Sequence, residues 1–127
     1  MKKVSILVPE ASVMQAIADP QYLFSAANQF LLSAGKSPLF EVELVGVKKQ
    51  IKLNNGMFSV HTNRLLKEVD ETDLVFIPAL FGDMTSAIAK NKTVVPWIVD
   101  QYRKGAEVAS LCVGAFLLAS TGLLNGK

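Results

Sequence analysis

Three short apolar runs constrain this chain more than any other feature. Lys3 to Val8 (KVSILV), Asp73 to Pro78 (DLVFIP) and Glu107 to Leu111 (EVASL) are rich in β-branched residues, and each gives way to a loop and then to a stretch of helical periodicity. Short apolar runs bounded by turn signals read as buried strands. Strands that alternate with helices need crossover connections, so they form a parallel sheet with helices on both faces. The fold class is therefore α/β, in three α-β-α layers.

The segments between the runs fill in the order β-α-β-(hairpin)-α-β-α-α-β-α. From Val13 to Ala34, apolar residues recur at helical spacing through Ile17, Tyr22, Leu23, Ala26, Phe30 and Leu31. Pro20 interrupts them and predicts a kink or two helical pieces, and Gly35 is the stop signal. Phe40 to Val47 predicts a second strand, with Glu41 and Glu43 on one face and Phe40, Val42 and Leu44 on the other. Lys48 to Val60 predicts a small hairpin turning at Asn54-Asn55-Gly56. Asn63 predicts a cap for a short helix over Arg64 to Val69. Met84 to Lys90 and Val94 to Arg103 read as helices. The second carries a Val95, Ile98, Val99, Tyr102 stripe, is broken near its start by Pro96 and ends at Gly105. Val113 to Thr121 is the last helix, stopped by Gly122. Phe24, Phe30, Phe76 and Phe116 read as core, Trp97 as helix packing, and Met14 and Met84 as packing residues just past strand ends.

Composition excludes several classes of function. The chain has 127 residues, half of them hydrophobic and 19% charged, which fits one globular domain. One cysteine and one histidine exclude an internal disulfide framework, multi-cysteine zinc sites and His-pair metal motifs, so no metal or cofactor is expected. A net charge of +2 gives no strong field for nucleic acid or membrane. The apolar run after MKK is broken by Pro9 and Glu10, short of the about 7–15 residues of a secretory signal. Val108 to Leu124 approaches the about 20 residues of a membrane span, but glycines and hydroxyl residues interrupt it. A strand, a tight turn and a helix account for it better. The reading is a cytoplasmic protein without a membrane partner.

The most informative site is Ser110-Leu111-Cys112-Val113-Gly114-Ala115. A buried strand runs into one polar residue and straight into a helix, with small residues around it. That is the arrangement of a nucleophile elbow. The helix beginning there aims its free N–H groups at the sulfur, and such positions favour a thiolate. In open α/β sheets ligands gather at the carboxyl ends of strands, so the loops after Val8, after Pro78 and at Cys112 are expected to converge.

At these residues the sequence resembles the ThiJ/PfpI superfamily, the class I glutamine amidotransferase-like fold. It is most similar to the amidase-like N-terminal domain of AraC-type transcriptional regulators. ASLCVGAFLLASTGLLNGK resembles that family's elbow and following helix. DLVFIPALFGD resembles its loop in the Pro-Ala-Leu branch, and VSILVPEASVMQAIADPQYLFSAANQFL its first strand and helix. The resemblance implies a flavodoxin-like sheet with Cys112 at the elbow. It implies oxyanion-hole donors at Ala79 and Leu80 and at the N–H of Val113. Enzyme members carry an acid facing the cysteine; the matching position is Ala16, so that acid is absent. Glu10 is the only carboxylate of the first loop and the candidate substitute. Many members carry a histidine shortly after GLLNGK, beyond Lys127, whereas His61 falls in the hairpin.

The family also places a double helix-turn-helix after this domain. Residues 1–127 are accordingly expected to be one ThiJ/PfpI-like regulatory domain lacking its C-terminal part, with DNA contacted only through an absent region. The expected function is ligand sensing and dimerisation, without catalysis, for an AraC-family regulator. The expected partners are an unidentified small-molecule effector bound around Glu10, Ala79, Leu80, Cys112 and Val113, and a second copy of the chain. Two alternatives use Cys112 directly: a cysteine-dependent hydrolase or hydratase, and a redox sensor passing through a sulfenic acid.

Overall fold

A computed structural model describes residues 1–127. In chain order its elements are β1 (Lys2–Leu7), α1 (Met14–Ser33), β2 (Phe40–Gly46), β3 (Gln50–Leu53), β4 (Phe58–His61), β5 (Arg64–Leu65), a 3-10 turn (Leu66–Glu68), β6 (Leu74–Ile77), α2 (Met84–Lys90), α3 (Val95–Arg103), β7 (Glu107–Ser110) and α4 (Gly114–Ser120). The main sheet has five strands in the order β5-β2-β1-β6-β7, and every pairing is parallel. β3 and β4 form a separate antiparallel hairpin. This is the three-layer flavodoxin-like sheet with a small hairpin.

Strand alternation divides the core into two layers. Val4, Ile6 and Val8 pack with Ile17 of α1 and with Ile51, Leu53 and Val60 of the hairpin. Leu7, Val45, Val75 and Ile77 pack on the opposite face with Ala87, Ile98 and Leu117 of the other three helices and with Val94, which precedes α3. Both faces are covered near the middle of the sheet, which is why the central strands read as near-continuous apolar runs.

Helix α1 differs from expectation in two ways. It is one continuous 20-residue helix through Pro20, because the ring removes a single bond of the ladder and is itself buried. The apolar stripe that faces the sheet also has a different phase. Ile17, Pro20, Phe24 and Asn28 point inward. Phe24 meets Phe40 and Phe76 edge-on at 4.9 and 6.5 Å, and the Asn28 carboxamide bonds the backbone of Leu39 and Phe40. Tyr22, Leu23 and Phe30 lie on the far side and are 70%, 65% and 76% exposed. Phe116 is exposed as well, so Phe30 and Phe116 are not core residues, whereas Phe24 and Phe76 are packed against it.

The segment after the hairpin also departs from its expected form. Asn63 caps no helix. Its side chain accepts from the Leu44 N–H at 2.7 Å and its own N–H donates to the Leu44 carbonyl at 2.7 Å. This lays Arg64 and Leu65 beside Val45 and Gly46 as a short edge strand, and only one 3-10 turn follows. Arg64 Nε lies 2.8 Å from a Glu43 carboxylate oxygen, and that hydrogen-bonded pairing raises the guanidinium pKa above its ordinary value. Pro96 does not break α3. It lies in the first turn, where a backbone N–H has no helical partner to lose.

Two of the five buried polar residues, Gln101 and Asn91, tie loops to the ends of the sheet. Gln101 of α3 accepts from the Thr72 N–H at 3.1 Å and donates to the Val69 and Asp70 carbonyls, closing the turn that feeds β6. Asn91 does comparable work at the opposite end of the sheet. No helix is long and apolar enough to cross a membrane.

Candidate functional site

The elbow forms at the carboxyl end of β7. Ser110 pairs with Ile77, and the Leu111 N–H extends the ladder by donating to the Ile77 carbonyl at 2.9 Å. The chain then reverses at Cys112, whose φ is +49°. A non-glycine residue in this region carries strain of about 1–3 kcal/mol and persists only where its surroundings enforce it. The enforcing contacts are short-range. Gly114 N–H donates to the Leu111 carbonyl at 2.8 Å and Ala115 N–H to the Cys112 carbonyl at 3.2 Å. Cys112 itself is exposed.

Gly114 shows why the turn needs small residues. A methyl group there would overlap the Pro78 carbonyl oxygen and come within 2.9 Å of the Ile77 oxygen. The first turn of α4 therefore rests directly on the end of β6. No residue with a β-carbon fits without moving one backbone against another.

The loops after β1 and β6 are joined. Ser12 and Leu80 form an antiparallel bridge, with Val13 N–H donating to the Ala79 carbonyl at 2.9 Å and Phe81 N–H donating to the Ala11 carbonyl at 2.7 Å. In such a bridge, the N–H and C=O of the central residue point to the opposite side. Those of Leu80 are thus directed away from the first loop. Ser12 is buried and its hydroxyl donates to the Pro9 carbonyl, while Ala11 takes a φ of +63°. Asn91, 2% exposed, clamps this loop from the end of α2. Its side-chain oxygen accepts from the Glu10 N–H at 2.8 Å, and its amide nitrogen donates to the Glu10 and Ala87 carbonyls at 2.9 and 2.8 Å.

The expected site residues divide into two groups. Ala79 and Leu80 are buried just past β6, the strand next to β7, and Val113 begins the turn into α4. These belong to the same end of the sheet as Cys112. Glu10 is turned elsewhere. Its carboxylate pairs with Lys48 Nζ at 3.6 Å, and Lys48 follows β2. Glu10 itself follows β1, which β6 alone separates from β7, a span of about 10 Å at ordinary strand spacing. Ala16 stands in the first turn of α1 and brings no acid. His61 lies on β4 opposite Gln50, in the hairpin. No group of three His, Cys, Asp or Glu side chains gathers as a metal site.

Asn91 and Ala11 organise these loops without standing out in the sequence. The short Gly-Ala spacing after Cys112 hints at Gly114. Nothing local marks Asn91, whose partner Glu10 is distant in the chain.

The model of the DJ-1/PfpI family matches residues 4–127. Several solved structures superpose closely on the chain. A candidate transcriptional regulator protein from Vibrio parahaemolyticus is 21% identical with a TM-score of 0.80, over 98% of this chain and 63% of that one. A two-domain protein from Anabaena variabilis with DJ-1/ThiJ/PfpI-like and ferritin-like domains is 25% identical with a TM-score of 0.75, over 100% of this chain and 34% of that one. A ThiJ/PfpI family protein from Pseudomonas syringae is 14% identical with a TM-score of 0.78, over 98% and 48%. The chain thus spans between about a third and two thirds of these structures. No curated protein matches the sequence. The elbow at Cys112, the five-stranded parallel sheet beneath it and the match over residues 4–127 lead to one assignment: the chain belongs to the DJ-1/PfpI family.

Proposed function

We propose that this domain senses a small-molecule effector for an AraC-type transcriptional regulator, pairs with a second copy of itself, and does no catalysis. The observation that carries the reading is the direction of Glu10. Cysteine catalysis needs an acid or base within hydrogen-bond reach of the sulfur. The one carboxylate of the first loop pairs with Lys48, which follows β2, and the position that the family resemblance gives to the acid of enzyme members is Ala16. What remains at the strand ends is an exposed thiol with backbone donors nearby, an arrangement suited to recognition. The likeness to a candidate regulator from Vibrio parahaemolyticus agrees with this reading. DNA contact belongs to a helix-turn-helix region outside these residues, and the setting is the cytoplasm.

The test is made on the full gene product. At least one compound among amine, nitrogenous and amino-acid metabolites is expected to raise its melting temperature and to change its affinity for an operator fragment. Sedimentation is expected to show a dimer. A gene product that no such compound stabilises and that binds no operator contradicts the reading.

The strained, exposed Cys112 favours a second reading, a cysteine-dependent hydrolase or hydratase. It requires turnover that depends on the sulfur.

A further inference from the structure

A cavity of about 540 Å³ opens between the first loop, the hairpin turn and the loop after β6, and Cys112 does not line it. Its volume falls within the range of about 300–1,000 Å³ usual for small-molecule sites. Three observations define its chemistry. Phe81 and Phe58, from the β6 loop and from β4, are 71% and 45% exposed and both line it, so aromatic surface is left uncovered on two separate elements. Lys52 of β3 and Lys90 at the end of α2 also line it, and neither has an acidic partner within ion-pair distance. The only acid on its wall, Glu10, is already paired with Lys48. The cavity is therefore cationic and partly aromatic.

Its walls are also fixed in advance. Asn91 holds the backbone at Glu10 through two hydrogen bonds. The Ser12–Leu80 bridge holds Phe81 beside the first loop. The hairpin turn is set by positive φ at Asn54, Asn55 and Gly56. Preorganised walls reduce the ordering cost of binding.

We propose that this cavity binds a flat aromatic carboxylate, its ring between Phe58 and Phe81 and its anionic group between Lys52 and Lys90. Aromatic faces supply area, and two unpaired ammonium groups favour an anion over its neutral isostere. The site is distinct from the elbow and does not depend on the regulator reading, because an enzyme built on the same fold could carry it.

The test uses 2-naphthoate and its neutral counterpart 2-naphthamide, titrated into the full chain and followed by amide chemical shifts. Naphthoate is expected to shift resonances at residues 52–56, 81 and 90. The K52Q/K90Q double variant is expected to weaken naphthoate at least about tenfold while changing naphthamide less than about threefold. Phe81→Ala is expected to weaken both, and Cys112→Ser neither. Unchanged circular dichroism of each variant separates lost binding from lost folding. The proposal is overturned if naphthoate at millimolar concentration shifts none of these residues. It is equally overturned if the shifts centre on residues 111–115, or if the double variant binds naphthoate as tightly as the parent. None of these results would bear on effector-dependent operator binding, which tests the regulator reading separately.

Discussion

Gly114→Ala is expected to lower unfolding stability by about 3 kcal/mol or more, the upper end of the range for over-packed sites. The reason lies in what the new methyl would meet. Its neighbours are the Pro78 and Ile77 carbonyl oxygens and the Pro78 carbonyl carbon, all main chain at the end of a central strand. A flexible side chain could swing aside, but a strand paired on both edges cannot. The clash is relieved only by lifting α4 from β6, which would also release the turn that holds Cys112 at positive φ. Urea denaturation followed by circular dichroism measures the effect. The midpoint should fall with little change in slope, as for a loss of stability without a change in the unfolded state. A midpoint within experimental error of the parent would show that α4 does not rest on β6 as described.

Asn91→Leu should cost about 3 kcal/mol. The substitution keeps the side chain near its original size but strands the Glu10 N–H, the Glu10 carbonyl and the Ala87 carbonyl, each of which now has a partner. An unsatisfied buried polar group costs about 1–3 kcal/mol. The total stays below three times the upper value, since Glu10 is half-buried and water can reach part of its backbone. Local effects should exceed the global one. Amide exchange of Glu10, Val13 and Phe81 should accelerate well beyond that of Val75 or Ile77 in the sheet centre, as the first loop detaches from the end of α2. Asn91→Asp, which retains the acceptor but loses the donor, should fall between the parent and leucine. Equal acceleration at every amide would mean that Asn91 acts only as a general packing residue.

The legible part of this fold was carried by local pattern. The runs at Lys3 and Asp73 are nearly continuous in apolar residues because both faces of their strands are covered, so burial itself wrote the signal. Asn54-Asn55-Gly56 announced the hairpin because positive φ restricts which residues can stand there. Cys112 was visible as an elbow because a lone polar residue separates strand from helix with no room for a loop. What failed to show depended on partners far along the chain. The period of α1 was legible but its phase was not, since two apolar stripes compete and only contact with Phe40 and Phe76 selects the one bearing Ile17 and Phe24. Asn63 has the composition of a helix cap, yet its bonds to Leu44, 19 residues away, make it a strand connector. The direction of Glu10 could not be read either, because Lys48 reaches it from across the β1–β2 crossover. The proposed non-catalytic function rests on that direction.

The most direct test of this reading is multiple-turnover hydrolysis of an activated ester, p-nitrophenyl acetate, by the full chain and its Cys112→Ser variant at neutral pH. The elbow described here, with its only first-loop carboxylate engaged by Lys48, predicts no turnover above the serine variant after any initial stoichiometric reaction of the thiol. Sustained turnover that disappears in Cys112→Ser would contradict the account and restore the hydrolase reading.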